Sequence, residues 1–344
     1  MTNKLLPNIT ARRNASYVYL TEDEWNQRIN ILFDLTNSCA LCPRKCGVSR
    51  KDKQYGFCGA PEKLVISSIF PHHGEEPPIS GINGSGTVFF SYCTLQCCFC
   101  QNYQISHENE GTVYSIEELA DEMLGLQNKG CHNINLVTAT HFLPWVVSAL
   151  KTASSKGLTI PIVYNCSGYE SESTISALLG IIDIYLPDMK YGNEISAQRF
   201  SKAADYVNAN QKAIRAMFRQ VGPLKIDSEG IAYRGLCIRH LILPQDMAAS
   251  ALVLKFLKSS FDPQDIFISL MAQYRPLYKA HHYHEINRMV SQEEYESVKS
   301  SFIDAGFQGF FQEIAEMDAG FIIDFKKRKT DALTGEIREK FIKP

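Results

Sequence analysis

The sequence predicts an α/β fold: a partial (β/α)6 TIM-like barrel of parallel strands with a small N-terminal Cys-rich accessory segment. Three observations carry this expectation. From Thr87 onward, β-branched and aromatic runs alternate with helix-type segments over six repeats. Such a βαβα rhythm demands a parallel sheet with helices outside it. Capping boxes open three segments, at Thr21/Glu24, Ser115/Glu118 and Ser291/Glu294, and mark helix starts. The eleven cysteines gather largely at metal-ligand spacings, as reduced, metal-binding thiols do.

The elements follow in order. Residues 1–20 read as irregular, and the Thr21 box opens a helix through residue 35. Cys39, Cys42, Cys46 and Cys58 come next, spaced C-x2-C-x3-C-x11-C with glycines beside them. Four thiols so placed are candidate ligands for zinc or a second iron–sulfur cluster, or reduced structural cysteines without metal. A Pro/Gly-rich connector, 70–86, carries His72, His73, Glu75 and Glu76. It leads straight into the first core strand, so these side chains belong either to the active site or to a rigid surface loop.

The barrel begins with a strand over 87–92. Then come helix 115–129, strand 133–138, helix 143–156, strand 160–166 and a short helix near 172–179. Strand 182–189, helix 196–220 and a hairpin within 224–235 follow. Strand 236–243, helix 248–259, strand 265–271, the helix capped by Ser291 and a final strand over 307–313 complete the pattern. This divides the chain into 1–86 (helix, Cys-rich segment and connector), 87–315 (barrel) and 316–344. The last part, with Lys326, Lys327, Arg328 and Lys329, reads as a basic, solvated tail.

Barrel chemistry sits at the C-terminal strand ends. The first strand ends in Cys93, Cys97 and Cys100, spaced C-x3-C-x2-C. Three thiolates on one short loop hold three irons of a cubane 4Fe–4S cluster and leave the fourth open to a substrate or cofactor. Zinc loops favour paired C-x2-C units, and this loop directly follows a core strand. Cys98, a fourth thiol in the loop, reads as packing.

With Phe99 before the last cysteine, the loop resembles the signature of the radical S-adenosylmethionine (AdoMet) enzymes. That resemblance implies AdoMet chelated at the open iron and reductively cleaved to a 5′-deoxyadenosyl radical. Further stretches resemble one subgroup: Cys42-Pro-Arg-x-Cys-Gly-Val, Gly-Glu-Glu-Pro-Pro-Ile-Ser-Gly, Pro-Asp-Met-Lys-Tyr, Arg-His-Leu-Ile-Leu-Pro and Met-Ala-Gln-Tyr-Arg-Pro. It is the pyruvate formate-lyase activating enzyme-like group with an N-terminal four-cysteine segment. The resemblance covers about residues 37–315.

AdoMet-facing residues follow from the same comparison. The family's Gly-Gly-Glu stretch is replaced by Val137-Thr138-Ala139-Thr140-His141, which makes Thr138, Thr140 and His141 the polar substitutes, or helix caps before Pro144. Asn165 and Ser167 close the third strand, and Asn165 stands where the activating enzymes have an Asp. Asp188 and Lys190, at i and i+2, share one strand face and match the activating-enzyme pattern. Arg239 and His240 lie on opposite faces of the fifth strand, so one of them reaches AdoMet. Gln273, Tyr274 and Arg275 are candidates for the substrate side, or an ordinary turn.

The implied activity is generation of a glycyl radical on a partner enzyme, fed by a flavodoxin- or ferredoxin-type electron donor. Alternatives are a radical AdoMet enzyme acting on another protein, a peptide or a small molecule, and a non-catalytic iron–sulfur redox sensor. No apolar pocket for a small ligand is legible, so a macromolecular substrate is expected. Lys and Arg total 35 against 37 Asp and Glu, a net charge of −2. No drive toward nucleic acid or a membrane surface follows from that balance. The first twenty residues contain no apolar core of signal-peptide length, and no run approaches a membrane span. With reduced thiols, the chain reads as cytoplasmic.

Overall fold

The computed structural model describes residues 14–314 and 322–326. Ten strands form its sheet: β1 Val65–His72, β2 Ser85–Phe90, β3 Thr112–Val113, β4 Ile134–Val137, β5 Ile162–Cys166, β6 Ile184–Pro187, β7 Lys225–Ile226, β8 Ala232–Leu241, β9 Phe267–Met271 and β10 Gln308–Phe311. Their order is β10-β9-β8-β6-β5-β4-β2-β1-β3, with β7 hairpinned onto β8. Every neighbour from β2 to β10 is parallel. β10 is the expected final strand. Among the described residues β10 and β3 stand at opposite ends of the order, so the barrel is partial.

The parallel strands are buried on both faces, which is why they read as continuous apolar runs. Side chains alternate across them. Ile162, Tyr164, Tyr185 and Ile238 pack outward under the helices. Val163, Ile184, Leu186 and Cys237 point into the bore, where they meet Ile79. All three capping boxes form and open helices Glu22–Asn37, Ile116–Asn128 and Gln292–Asp304. The single helix expected over 196–220 is two, Glu194–Ser201 and Tyr206–Val221. Lys202, left-handed at φ 53°, ends the first.

Three expectations need correction. The 70–86 connector is not a loop throughout. Its start belongs to β1, which pairs antiparallel with β2 through Phe70↔Thr87 and His72↔Ser85, and Pro77–Ser80 is a short helix. The division at 86/87 therefore falls inside β2. Tyr17, Trp25, Leu32, Leu41 and Leu64 also join the same buried cluster as the barrel helices. Finally, the start of the basic tail is packed. Phe325 is fully buried, 5.1 Å from the Phe89 ring, and Lys326 pairs with Glu108 at 2.6 Å. Lys327, Arg328 and Lys329 lie outside the described residues. No helix among the described residues is long and apolar enough to cross a membrane.

Candidate active site

A cavity of about 430 Å³ occupies the bore and its mouth, within the ~300–1,000 Å³ of small-molecule sites. Cys93, Cys97 and Cys100 line it, and Cys98 does not. The loop turns tightly because Tyr92 (φ 69°) and Gln96 (φ 56°) adopt left-handed backbone. Cys98 is held aside, its N–H donating to Phe200 O at 2.8 Å. Ser106 Oγ lies 3.1 Å from Cys100 Sγ. Burial pushes the Cys93 and Cys97 thiols up, and that of Cys100 to about 12, so iron binding must displace their protons. Three thiols on one wall, with open space in front, fit a cubane cluster that keeps a free iron.

The opposite wall is charged. Lys190 Nζ meets Asp188 Oδ2 at 2.6 Å. Burial opposes the ammonium charge, but Asp188 and the Cys97 sulfur outweigh it and hold Lys190 above its ordinary range. The close approach of the β5 and β6 ends depends on Gly168 (φ +71°), where a Cβ would run into the Asp188 carbonyl. Deeper in, Arg239 donates from Nε to Glu76 Oε1 at 2.7 Å and from Nη2 to Glu76 Oε2 at 2.6 Å. It also pairs with Glu75 and donates to Asn165 Oδ1 at 3.2 Å. Burial raises the Glu76 carboxyl, and Arg239 more than reverses that. The Glu75–Glu76 pair thus belongs to the cavity floor rather than to a surface loop.

Of the expected AdoMet-facing residues, Thr138, Asn165, Ser167, Asp188, Lys190 and Arg239 line this cavity. Thr140, His141 and His240 do not, and His141 Nε2 donates instead to Ser91 O at 2.7 Å. Left-handed Thr138 (φ 60°) redirects the chain, and Thr140 Oγ1 donates to buried Glu170 Oε1 at 2.7 Å. His240 faces the helices, with Nδ1 2.6 Å from Met189 O and Nε2 2.8 Å from Ser250 Oγ. Gln273, Tyr274 and Arg275 line the mouth as expected. Cavity residues missed in the sequence include Ser106 and Gln312; Glu170, missed as well, is buried outside the cavity beside Thr140. Gln312 donates to Gln273 Oε1 at 2.9 Å. Burial lifts the Glu170 carboxyl to about 8. A single polar residue in a one-turn helix or a connection offers no periodic signal, which is why these escaped. The cavity also has an apolar side that includes Ile105, Val137 and Ile323, contrary to the expected lack of one.

The N-terminal cysteines form a separate group. Cys39, Cys42, Cys46 and Cys58 line a cavity of only about 10 Å³. Arg50 Nη2 donates to Cys39 Sγ at 3.5 Å, and Phe57 N–H to Cys46 Sγ at 3.4 Å. Among the described residues no three His, Cys, Asp or Glu side chains are placed around a single metal ion. The loop cysteines share that property, but their cofactor is a four-iron cluster rather than one ion.

The sequence profile of the Radical SAM superfamily matches residues 87–222. An uncharacterized protein of Methanocaldococcus jannaschii is 30% identical over 286 residues, 81% of this chain and 78% of that protein. The chain belongs to the radical SAM superfamily. As a radical SAM enzyme it uses a 4Fe–4S cluster and AdoMet, and Cys93, Cys97 and Cys100 are the thiols placed to hold the cluster. Solved structures resemble it at low identity. Methylornithine synthase (PylB) matches at 14% identity and TM-score 0.44, over 86% of this chain and 72% of that one. HydG, a maturase of the FeFe-hydrogenase, matches at 13% and 0.46, over 87% and 68%. The Kitasatospora setae methyltransferase TsrM matches at 12% and 0.37, over 59% and 36%.

Proposed function

We propose that this radical SAM enzyme acts on a polypeptide, with the glycyl loop of a partner glycyl radical enzyme as the first candidate, as in the pyruvate formate-lyase activating enzymes. The observation that carries this reading is the row of neutral amides at the mouth. Asn102, Gln273 and Gln312 line the cavity. Each offers a donor and an acceptor, the complement of a peptide group. The subgroup motifs, Pro-Asp-Met-Lys-Tyr above all, support the same assignment. Reductive cleavage of AdoMet is the chemistry the cofactors supply. The chain supplies a charged wall, Asp188 with Lys190 and Arg239 with Glu76, that orients polar groups, and buried aromatics that exclude water. The electron comes from a flavodoxin- or ferredoxin-type donor.

The apolar side formed by Ile105, Val137 and Ile323 favours a second reading, a small-molecule substrate. Electron paramagnetic resonance separates the two. The enzyme is mixed anaerobically with AdoMet, reductant and glycyl radical enzymes from its host. A glycine-centred doublet that requires Cys100 is the expected result. No doublet, together with stoichiometric AdoMet consumption on a small metabolite, removes the activating-enzyme assignment and leaves the radical SAM chemistry.

A further inference from the structure

We infer that Arg44, from the N-terminal cysteine segment, is a positioning residue for the cysteine loop of the active site. Its guanidinium spends its donors on four backbone carbonyls. Nε donates to Thr94 O at 2.6 Å, Nη1 to Lys202 O at 2.8 Å, and Nη2 to Leu95 O at 3.4 Å and Ser201 O at 3.1 Å. The group lies 3.4 Å over the Phe57 ring, a stacking geometry that fixes the plane of the fork. Among the described residues it forms no ion pair with a carboxylate.

Two of these carbonyls sit between Cys93 and Cys97, in the stretch that ends at left-handed Gln96. A non-glycine residue in that region costs free energy and persists only where its surroundings over-determine it. Here they do. Arg44 holds Thr94 and Leu95, Gln96 Nε2 donates to Phe57 O at 3.1 Å, and His107 Nε2 donates to Cys97 O at 3.1 Å. The other two carbonyls close helix Glu194–Ser201, whose C-terminal end carries partial negative charge and unpaired acceptors. The Ser201 hydroxyl lies 2.7 Å from that of Tyr191, a ring that packs edge-on against Phe99 of the cysteine loop. One planar cation therefore ties the cysteine loop to the C-terminal end of that helix. Lysine, with no fork, cannot reproduce four divergent bonds. Nearby charge and the hydrogen bonding around a cluster set its reduction potential, so Arg44 acts on the cluster through the loop it holds.

This inference rests on the loop cysteines holding the cluster, and its test separates the two ideas. The first measurement uses the metal-free protein, by hydrogen exchange of the amides at 93–98. Arg44→Gln and Arg44→Lys are expected to speed that exchange by about tenfold, with the amides of helix Ile116–Asn128 unchanged. If Arg44→Gln does not fold, Phe57→Leu, which removes only the stacking platform, carries the same expectation. Wild-type exchange in every folded variant overturns the inference whether or not a cluster binds. The second measurement is a redox titration of the reconstituted protein followed by electron paramagnetic resonance. A lowered midpoint in Arg44→Gln, with a broadened signal in Arg44→Lys, is expected. Identical midpoints and signals in all proteins overturn the tuning role.

Discussion

Asp188 and Lys190, two residues apart at the end of β6, close an ion pair at 2.6 Å inside the cavity that the three loop thiols share. Both side chains are largely buried, 17% exposed each, so neither charge is well served by water alone. Removing either leaves the other without its partner in a poorly solvated wall. Asp188→Asn and Lys190→Met should each destabilise the fold. The double variant should lose less than the sum, with a coupling of ~1–3 kcal/mol. Urea unfolding of the four proteins measures it, and strict additivity would show the pair to be incidental.

The loop cysteines should divide three against one. Cys93→Ala, Cys97→Ala and Cys100→Ala are each expected to abolish the cluster signal and the formation of 5′-deoxyadenosine. Cys98→Ala should keep both and lose only ~1–2 kcal/mol of packing. Iron content and product yield after anaerobic reconstitution decide the matter. A Cys98→Ala protein without cluster would overturn the placement of that side chain.

Arg239 neutralises Glu75 and Glu76 at the cavity floor. Arg239→Met should cost ~3–5 kcal/mol at neutral pH, the usual penalty for stranding a buried charge. Arg239→Lys should recover little of it, because the contact to Glu76 is bidentate. The sign with pH follows from the lowered Glu76 carboxyl. Its contribution is complete above the ordinary value near 4.5 and is lost as pH falls through the lower folded value. The deficit of the Met variant should therefore shrink in acid, and a constant deficit down to pH 3 would contradict this assignment.

Glu170 runs the other way. Burial lifts its carboxyl from 4.5 to about 8, so the folded state holds a proton that the unfolded state releases. Its own contribution to stability falls as pH rises from about 4.5 to 8, by at most ~1.4 kcal/mol per pH unit. Glu170→Gln, which stays neutral and can still bond Thr140 and Tyr164, should flatten that slope. Melting temperatures of both proteins across pH 5–9 supply the comparison. Parallel curves would rule out a titrating Glu170.

Much of this architecture is legible in the residues. The alternation of strand and helix signals places the seven parallel strands, and the capping boxes place three helix starts to the residue. Period-2 reasoning puts Asp188 and Lys190 on one face, and Arg239 and His240 on opposite faces. It cannot say which face is the bore. That is decided by Glu75 and Glu76, which reach Arg239 across more than 160 residues of chain. β1 is hidden because its run ends in Pro71-His72-His73-Gly74 and reaches β2 through a long connection rather than a two-residue turn. Thr140 is misplaced because a single left-handed residue, Thr138, reverses the expected direction of the side chains after it. Phe325 is missed because one aromatic among charges has no period to detect.

The antiparallel pairing of β1 with β2 has a consequence for any attempt to shorten the protein. The superfamily match begins at Thr87, inside β2, so a fragment cut there sheds the neighbour that covers one whole side of that strand. The bare side would present unpaired amides and carbonyls along Val88, Phe89 and Phe90, a short apolar edge without charge or proline to deter a second chain. Copies would zip together along it. The upstream strand β1 is thus a guard against self-association, and the smallest soluble unit should begin no later than Val65.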